Sequence, residues 1–358
     1  MKYRANTRQI KNIKRGNFAI SIDGHFRDSS RFVFIVSALG LVGCGGGGTS
    51  SSTNTSISVP TTTTPSTSLL TGSVVKGPLK NALVFADYDG DGVFDANEPS
   101  TRTNADGSFS SASADPTAGF VAISDSSTVD SFTGAPMTGV VMKAPAGATV
   151  VTPATTLFVA LVESNPDLKS EEVAAVLGLD EINILEFNPF SADADPAQAL
   201  KAEKVASQII TTVASIAAAG EGAGASQSLA FEKAMDAVVS VVSNKIQTTD
   251  ESSSDSGSVA PAVDFTSTAL LTEVSTAAKE ELSTVVTSSE ALNSVLDTTV
   301  QAIENVNDQI NEAESLTDKD SVAAFTVSDD LKAQVLEAAK NEVATPGSGT
   351  IEFSDSSS

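Results

Sequence analysis

Five carboxylates fall within the 12 residues Asp87-Tyr88-Asp89-Gly90-Asp91-Gly92-Val93-Phe94-Asp95-Ala96-Asn97-Glu98. Acidic residues stand at positions 1, 3, 5, 9 and 12 of that stretch, and glycine stands at position 6. This is the D-x-D-x-D-G…E spacing of a loop that wraps oxygen ligands around Ca2+. Asp87, Asp89 and Asp91 would each give a side-chain oxygen, and Val93 its backbone carbonyl. Asp95 would bind directly or through water, and Glu98 would close the site as a bidentate ligand. Gly92 sits where a sharp turn has no room for a Cβ. Carboxylates this close repel one another unless a cation lies between them. The plainer alternative is a solvated acidic turn that holds no specific ion.

The flanks do not suit a helix-loop-helix. Lys76-Gly77-Pro78-Leu79-Lys80 cannot end a helix, and Ala82 to Ala86 reads as a strand. Pro99 follows Glu98 directly, so no helix leaves position 12 in the usual way. The expected setting is an EF-like loop between β-strands. With one such loop and no helix pair to open, its role would be structural rather than sensory.

Composition removes other chemistries. The 358 residues include one His, one Cys and no Trp. His25 lies near the N-terminus, and Cys44 follows an apolar run. Ser-His-Asp and Cys-His catalysis, His/Cys zinc sites and haem ligation are therefore excluded beyond residue 44. Oxygen ligands alone point to hard cations. The chain carries 21 Lys+Arg and 45 Asp+Glu, and residues 1–43 hold eight of the basic and two of the acidic groups. The remainder has 13 against 43, a net charge of −30. Such a field repels nucleic acid, so no nucleic-acid partner is expected.

The first 43 residues combine a basic stretch with an 11-residue apolar run, Phe32 to Val42, closed by Gly43-Cys44. That run fits a signal-peptide core and falls well short of the roughly 20 residues of a membrane span. Leu41-Val42-Gly43-Cys44 resembles the lipobox of bacterial lipoproteins. The resemblance implies that Cys44 is the lipidated first residue of the mature protein, anchored to a membrane without spanning it. Gly45 after the cysteine, in place of Asp, implies export to the outer membrane of a Gram-negative bacterium. The lipid-bearing body would then face the periplasm or the cell surface.

The fold class expected is α+β in separate domains, a small antiparallel β-sandwich followed by an α-helical bundle. Residues 1–43 are the leader, and 44–70 are the lipidated Cys with a Gly/Ser/Thr tether too polar to bury a core. Residues 71–150 hold short β-branched runs at 72–75, 82–86, 107–110, 119–123 and 139–142, punctuated by turn residues such as Asp106-Gly107. From 151 the period becomes helical. Helices are predicted over 155–163, 170–178, 196–220 and 227–246, giving a helical domain over 151–246. An acidic, Ser-rich linker over 247–265 follows, then a helical segment over 266–345 with helices at 266–287, 289–315 and 329–342. Residues 346–358 are a tail. Along 289–315, Leu292, Val295, Leu296, Ile303, Val306, Ile310 and Ala313 share one face.

Val75-Lys76-Gly77-Pro78-Leu79, Ala82-Leu83-Val84-Phe85, the acidic loop through Pro99, and Thr103-Asn104-Ala105-Asp106-Gly107 with Phe109 together resemble a known module. They are similar to prealbumin-like β-sandwich domains of bacterial surface proteins, among them collagen-adhesin B-type, serine-aspartate-repeat B and carboxypeptidase regulatory-like domains. The resemblance covers about residues 71–150 and implies a stalk or spacer stiffened by calcium. Some members carry a Lys–Asn isopeptide bond, and no secure pair for one stands out here. Ala148 to Leu157, Gly178-Leu179-Asp180 and Phe187-Asn188-Pro189 resemble a helical segment that follows such modules in large exported bacterial proteins, with Ala154 where Leu is expected.

The expected function is non-enzymatic: a calcium-stabilised, membrane-anchored surface lipoprotein in adhesion, envelope structure or partner binding. Its partners would be the membrane, through Cys44, and a protein or glycan surface. The alternative is a carboxylate-dependent hydrolase acting on an extracytoplasmic polymer. Asp193/Asp195 or Glu171/Glu172 could serve it, but a chain this acidic offers such pairs freely, and most Asp and Glu are simply exposed. A sugar cleft would also use aromatic faces, and beyond residue 44 the chain has Tyr88 alone among Tyr and Trp.

Overall fold

The computed structural model describes residues 68–113, 115, 117–252 and 263–351. The leader, Cys44 and the tether up to residue 67 lie outside them. The described chain opens with nine short strands: β1 (Ser68–Val74), β2 (Leu79–Lys80), β3 (Leu83–Asp87), β4 (Ser100–Arg102), β5 (Ser108–Ser113), β6 (Gly119–Ile123), β7 (Val129–Asp130), β8 (Val141–Ala144) and β9 (Val150–Val151). They form a four-stranded sheet in the order β4-β3-β6-β8, a three-stranded sheet β5-β1-β9 and a two-stranded ribbon β2-β7. All pairings are antiparallel except β1 with β9, which run parallel. This departs from the antiparallel expectation, because β9 arrives after a long excursion through the other sheet.

In the four-stranded sheet, register pairs Val84 with Ala122 and Ala86 with Phe120, then Ala122 with Met142 and Phe120 with Ala144. These residues share one pleat face and are buried. Phe120 meets Phe109 of the three-stranded sheet edge-on at 5.0 Å, which ties the two sheets together. On the opposite face Phe85 and Val121 are also buried.

Eight helices follow: α1 (Pro153–Ser164), α2 (Ser170–Val176), α3 (Pro196–Gly222), α4 (Gln227–Ser252), α5 (Thr268–Ser283), α6 (Ser289–Glu312), α7 (Lys319–Ala324) and α8 (Val327–Ala344). Local chemistry sets their starts. Thr152 caps α1 with Pro153 in its first turn, and Asp195 caps α3 by accepting the Ala197 and Gln198 N–H groups. α3 is the centre of the bundle and packs against α1, α4, α5, α6 and α8. Its C-terminal glycines allow the closest approaches. A Cβ on Gly222 would fall 2.5 Å from the Ala339 Cβ on α8.

The apolar stripe predicted on α6 is buried throughout, from Leu292 to Ile310 and on to Ala313. Other boundaries shift. β1 starts inside the predicted tether, and α4 continues through Ser252, into the predicted linker. Val263 and Phe265, also assigned to that linker, are buried, with the Val263 N–H donated to the Val176 carbonyl at 2.7 Å. Residues 253–262 and 352–358 lie outside the described residues. Sheets and helices belong to one compact unit, and a continuous core runs from Val74 through Leu157 and Val213 to Ala339. No helix among the described residues is long and apolar enough to cross a membrane.

Candidate metal centre

The acidic loop sits between β3 and β4, the strand setting that its flanks predict. Asp87 is the last residue of β3. Past the loop the chain returns through Pro99, whose carbonyl accepts the Ala86 N–H at 3.1 Å, and Ser100 pairs with Phe85. The stem therefore holds both ends of the loop in a fixed register.

Within it, Asp87, Asp89 and Asp91 each offer a carboxylate oxygen, and these oxygens lie within 4.8 Å of one another. Such a cluster could hold a metal ion. The backbone turns the side chains inward. Asp87 accepts the Gly90 and Gly92 N–H groups at 2.8 and 3.0 Å, and Asp91 accepts the Val93 N–H at 2.7 Å. Gly90 and Gly92 take φ of +80° and +74°, the left-handed region in which a Cβ is strained.

The Asp95 and Glu98 carboxylates are not part of that cluster. Glu98 is buried, with 5% exposure, while the three aspartates are half-buried or exposed. Its Oε1 accepts the Tyr88 N–H at 2.8 Å, and its Oε2 accepts the Asp95 N–H at 2.9 Å. Glu98 thus laces the two arms of the loop together. Asp95 is exposed, and the Val93 side chain points to solvent with 60% exposure. Each carboxylate oxygen has two lone pairs, so an accepted N–H leaves capacity for a cation.

Two neighbours were not foreseen from the sequence. Phe94 packs on Phe85 with ring centroids 5.4 Å apart, pinning the far arm of the loop to the sheet. Lys143 on β8 lays its ammonium against the turn, since a Cβ on Gly92 would fall 3.0 Å from Lys143 Nζ. The Lys143 backbone is itself held by α1, through its N–H to Thr156 Oγ1 and its carbonyl to Thr155 Oγ1. A lysine among apolar β8 neighbours was the one available signal, and nothing in the spacing links it to residue 92.

One member of each acidic pair considered for hydrolysis holds the start of a helix. Asp195 caps α3, and Glu172 Oε2 accepts the Lys169 N–H at the start of α2. Asp193 and Glu171 are exposed.

Searches against family models, curated proteins and solved structures find no match to this chain.

Proposed function

We propose that this chain is a non-enzymatic, calcium-stabilised lipoprotein of the outer membrane of a Gram-negative bacterium. It would be anchored through Cys44 and act in adhesion, envelope structure or partner binding. The observation that carries the calcium reading is the convergence of the Asp87, Asp89 and Asp91 oxygens within 4.8 Å at the end of a strand. Val93, through its carbonyl, with Asp95 and Glu98, would complete an all-oxygen shell suited to Ca2+. The ion would cancel the repulsion among the carboxylates and stiffen the β3–β4 connection. The resemblance to prealbumin-like surface domains supports a spacer role. The Leu41-Val42-Gly43-Cys44 motif supports the anchor.

Terbium luminescence on the chain from residue 44 tests the ion. Tyr88 is the one Tyr in that portion, the other being Tyr3, and the chain has no Trp. Sensitised emission can then come only from an ion beside this loop. Emission that Ca2+ displaces and Asp89→Asn abolishes is the expected result, and absence of emission would refute calcium here. Incorporation of labelled palmitate, lost in Cys44→Ser, tests the anchor.

A further inference from the structure

Where the turn between β1 and β2 meets α3, three ionisable side chains are shut away from water. Lys76, Asp130 and Glu203 expose 1%, 1% and 0% of their surface. Lys76 Nζ stands 3.6 Å from Asp130 Oδ2. Asp130 Oδ1 accepts the Phe132 and Thr133 N–H groups. Glu203 Oε1 accepts the Gly77 N–H at 2.8 Å and the Ser207 hydroxyl at 3.2 Å. Asp130 Oδ2 and Glu203 Oε2 are left without a hydrogen-bond partner. The turn presses tightly on the cluster. Gly77 has a φ of +59°, and a Cβ there would fall 2.0 Å from Asp130 Oδ1.

The charges do not balance if all three groups are ionised. Two carboxylates would face one ammonium in a site closed to solvent, where an uncompensated charge is costly. From α8, Asp329 interacts with Lys76 and Asp130, but the Lys332 ammonium on the same helix offsets it, so the pair adds no net charge to the cluster. Lys332 does not restore the balance at Glu203, because its ammonium is held by the Thr138 carbonyl and acts with Asp329 and Glu221. A bound proton does restore it. Asp130 already has the ammonium and two N–H donors, which leaves Glu203 as the group that keeps the proton.

We propose that Lys76, Asp130 and Glu203 form a proton-operated clasp between the β-region and the helical region. With one proton on the carboxylate pair the cluster is neutral and the seam between the β1–β2 turn and α3 is closed. Loss of that proton leaves one unbalanced negative charge inside and loosens the seam. Burial pushes the Glu203 carboxyl up to about 8, with Lys76 opposing and Asp130 adding to the shift. A cavity of about 30 Å³, lined by Val75, Ala202, Glu203 and Ala206 among others, has room for one water through which the proton can exchange.

The sign follows from linkage. The folded chain keeps a proton that the unfolded chain has released, so the stability that this proton confers is complete below about pH 4.5. It is lost as pH rises through about 8. The test is thermal melting of the full chain from about pH 5 to about pH 9, beside amide exchange of Gly77, whose N–H is given to Glu203. The wild-type melting temperature should fall by several degrees across that range, and Gly77 protection should fall with it. Glu203→Gln keeps an acceptor for Gly77 but cannot lose a proton, so its profile should be flat. Asp130→Asn removes the repelling charge and should move the midpoint to lower pH; it serves as the test if the Gln variant does not fold. A flat wild-type profile, or an equal slope in Glu203→Gln, would overturn the clasp. So would an intact mass short by one water mapped to Lys76 and Asp130, because an amide there would leave no ammonium and no second carboxylate.

Discussion

Glu98 is buried yet belongs to a loop whose other acids are half-buried or exposed, and its replacement by Gln separates closure of the loop from ion binding. The carboxylate accepts two N–H groups, from Tyr88 at 2.8 Å and Asp95 at 2.9 Å, one on each oxygen. A glutamine amide has one oxygen and one NH2, so one of the two N–H donors would face another donor. The remaining bond would drop from charge-assisted to neutral. A hydrogen bond to a charged group contributes about 1.5–3 kcal/mol, and a buried donor left unpaired costs about 1–3 kcal/mol. Glu98→Gln should therefore destabilise the ion-free protein by about 2–4 kcal/mol, or roughly 3–7 °C in melting temperature for a body of this size. The assay is calorimetry with excess chelator, which removes any contribution from an ion. Equal melting temperatures for wild type and variant in chelator would refute the lacing role. A deficit that widens when Ca2+ is added would show that Glu98 also ligates.

Three further outcomes can be checked by denaturation. Gly222→Ala places a methyl 2.5 Å from the Ala339 Cβ and 2.7 Å from the Leu336 carbonyl, where the backbone cannot yield. It should cost about 1–3 kcal/mol in urea unfolding, even though alanine is the better helix former. Asn307 donates to the Phe265 carbonyl at 2.8 Å and to Thr212 Oγ1 at 3.3 Å inside the bundle. Asn307→Leu should cost about 1 kcal/mol, at the low end of the usual 1–3 kcal/mol, because it also removes the unpartnered Asn307 Oδ1; a gain in stability would contradict this. The Arg102 guanidinium, followed by Ser127, holds the Asp125 carboxyl down at about 2 from its ordinary 3.8. Its contribution is present above that ordinary value and lost as pH falls through about 2, so Asp125→Asn should blunt the acid limb of a low-salt melting profile. Added salt should shrink the difference, since the pair is largely exposed.

The residues differ in how far they could be read without coordinates, and the difference follows sequence separation. The metal cluster is local: Asp87, Asp89 and Asp91 reach one another through a tight turn, so their spacing alone places them together. The α6 stripe is likewise a property of one helix. Strands β2, β4, β7 and β9 have two or three residues each, too few for an alternating period, and only their partners define them. α7 is a six-residue turn of helix that Asp318 starts by accepting the Asp320 and Ser321 N–H groups, with no apolar period to announce it. Val263 and Phe265 looked like linker because acidic and serine residues precede them, yet two apolar side chains suffice to pin a segment to a core.

Glu203 shows most plainly why composition misleads at a buried charge. In Lys201-Ala202-Glu203-Lys204 it reads as part of a solvated helical face, with lysines on either side. Lys204 does turn outward, donating to the Asn311 carbonyl at 2.7 Å. Glu203 lies one residue back, about 100° around the helix, and that rotation carries it into full burial against Gly77, which is 126 residues away in sequence. Lys76 carries the matching signal at the other end, a lysine inside Val74-Val75-Lys76-Gly77-Pro78 with no polar neighbour to keep it in water. A buried lysine needs an anion, and a buried glutamate needs a donor or a proton. Each residue alone was ambiguous. Only the fold, by bringing two carboxylates to one ammonium, makes the missing proton a requirement of the packing.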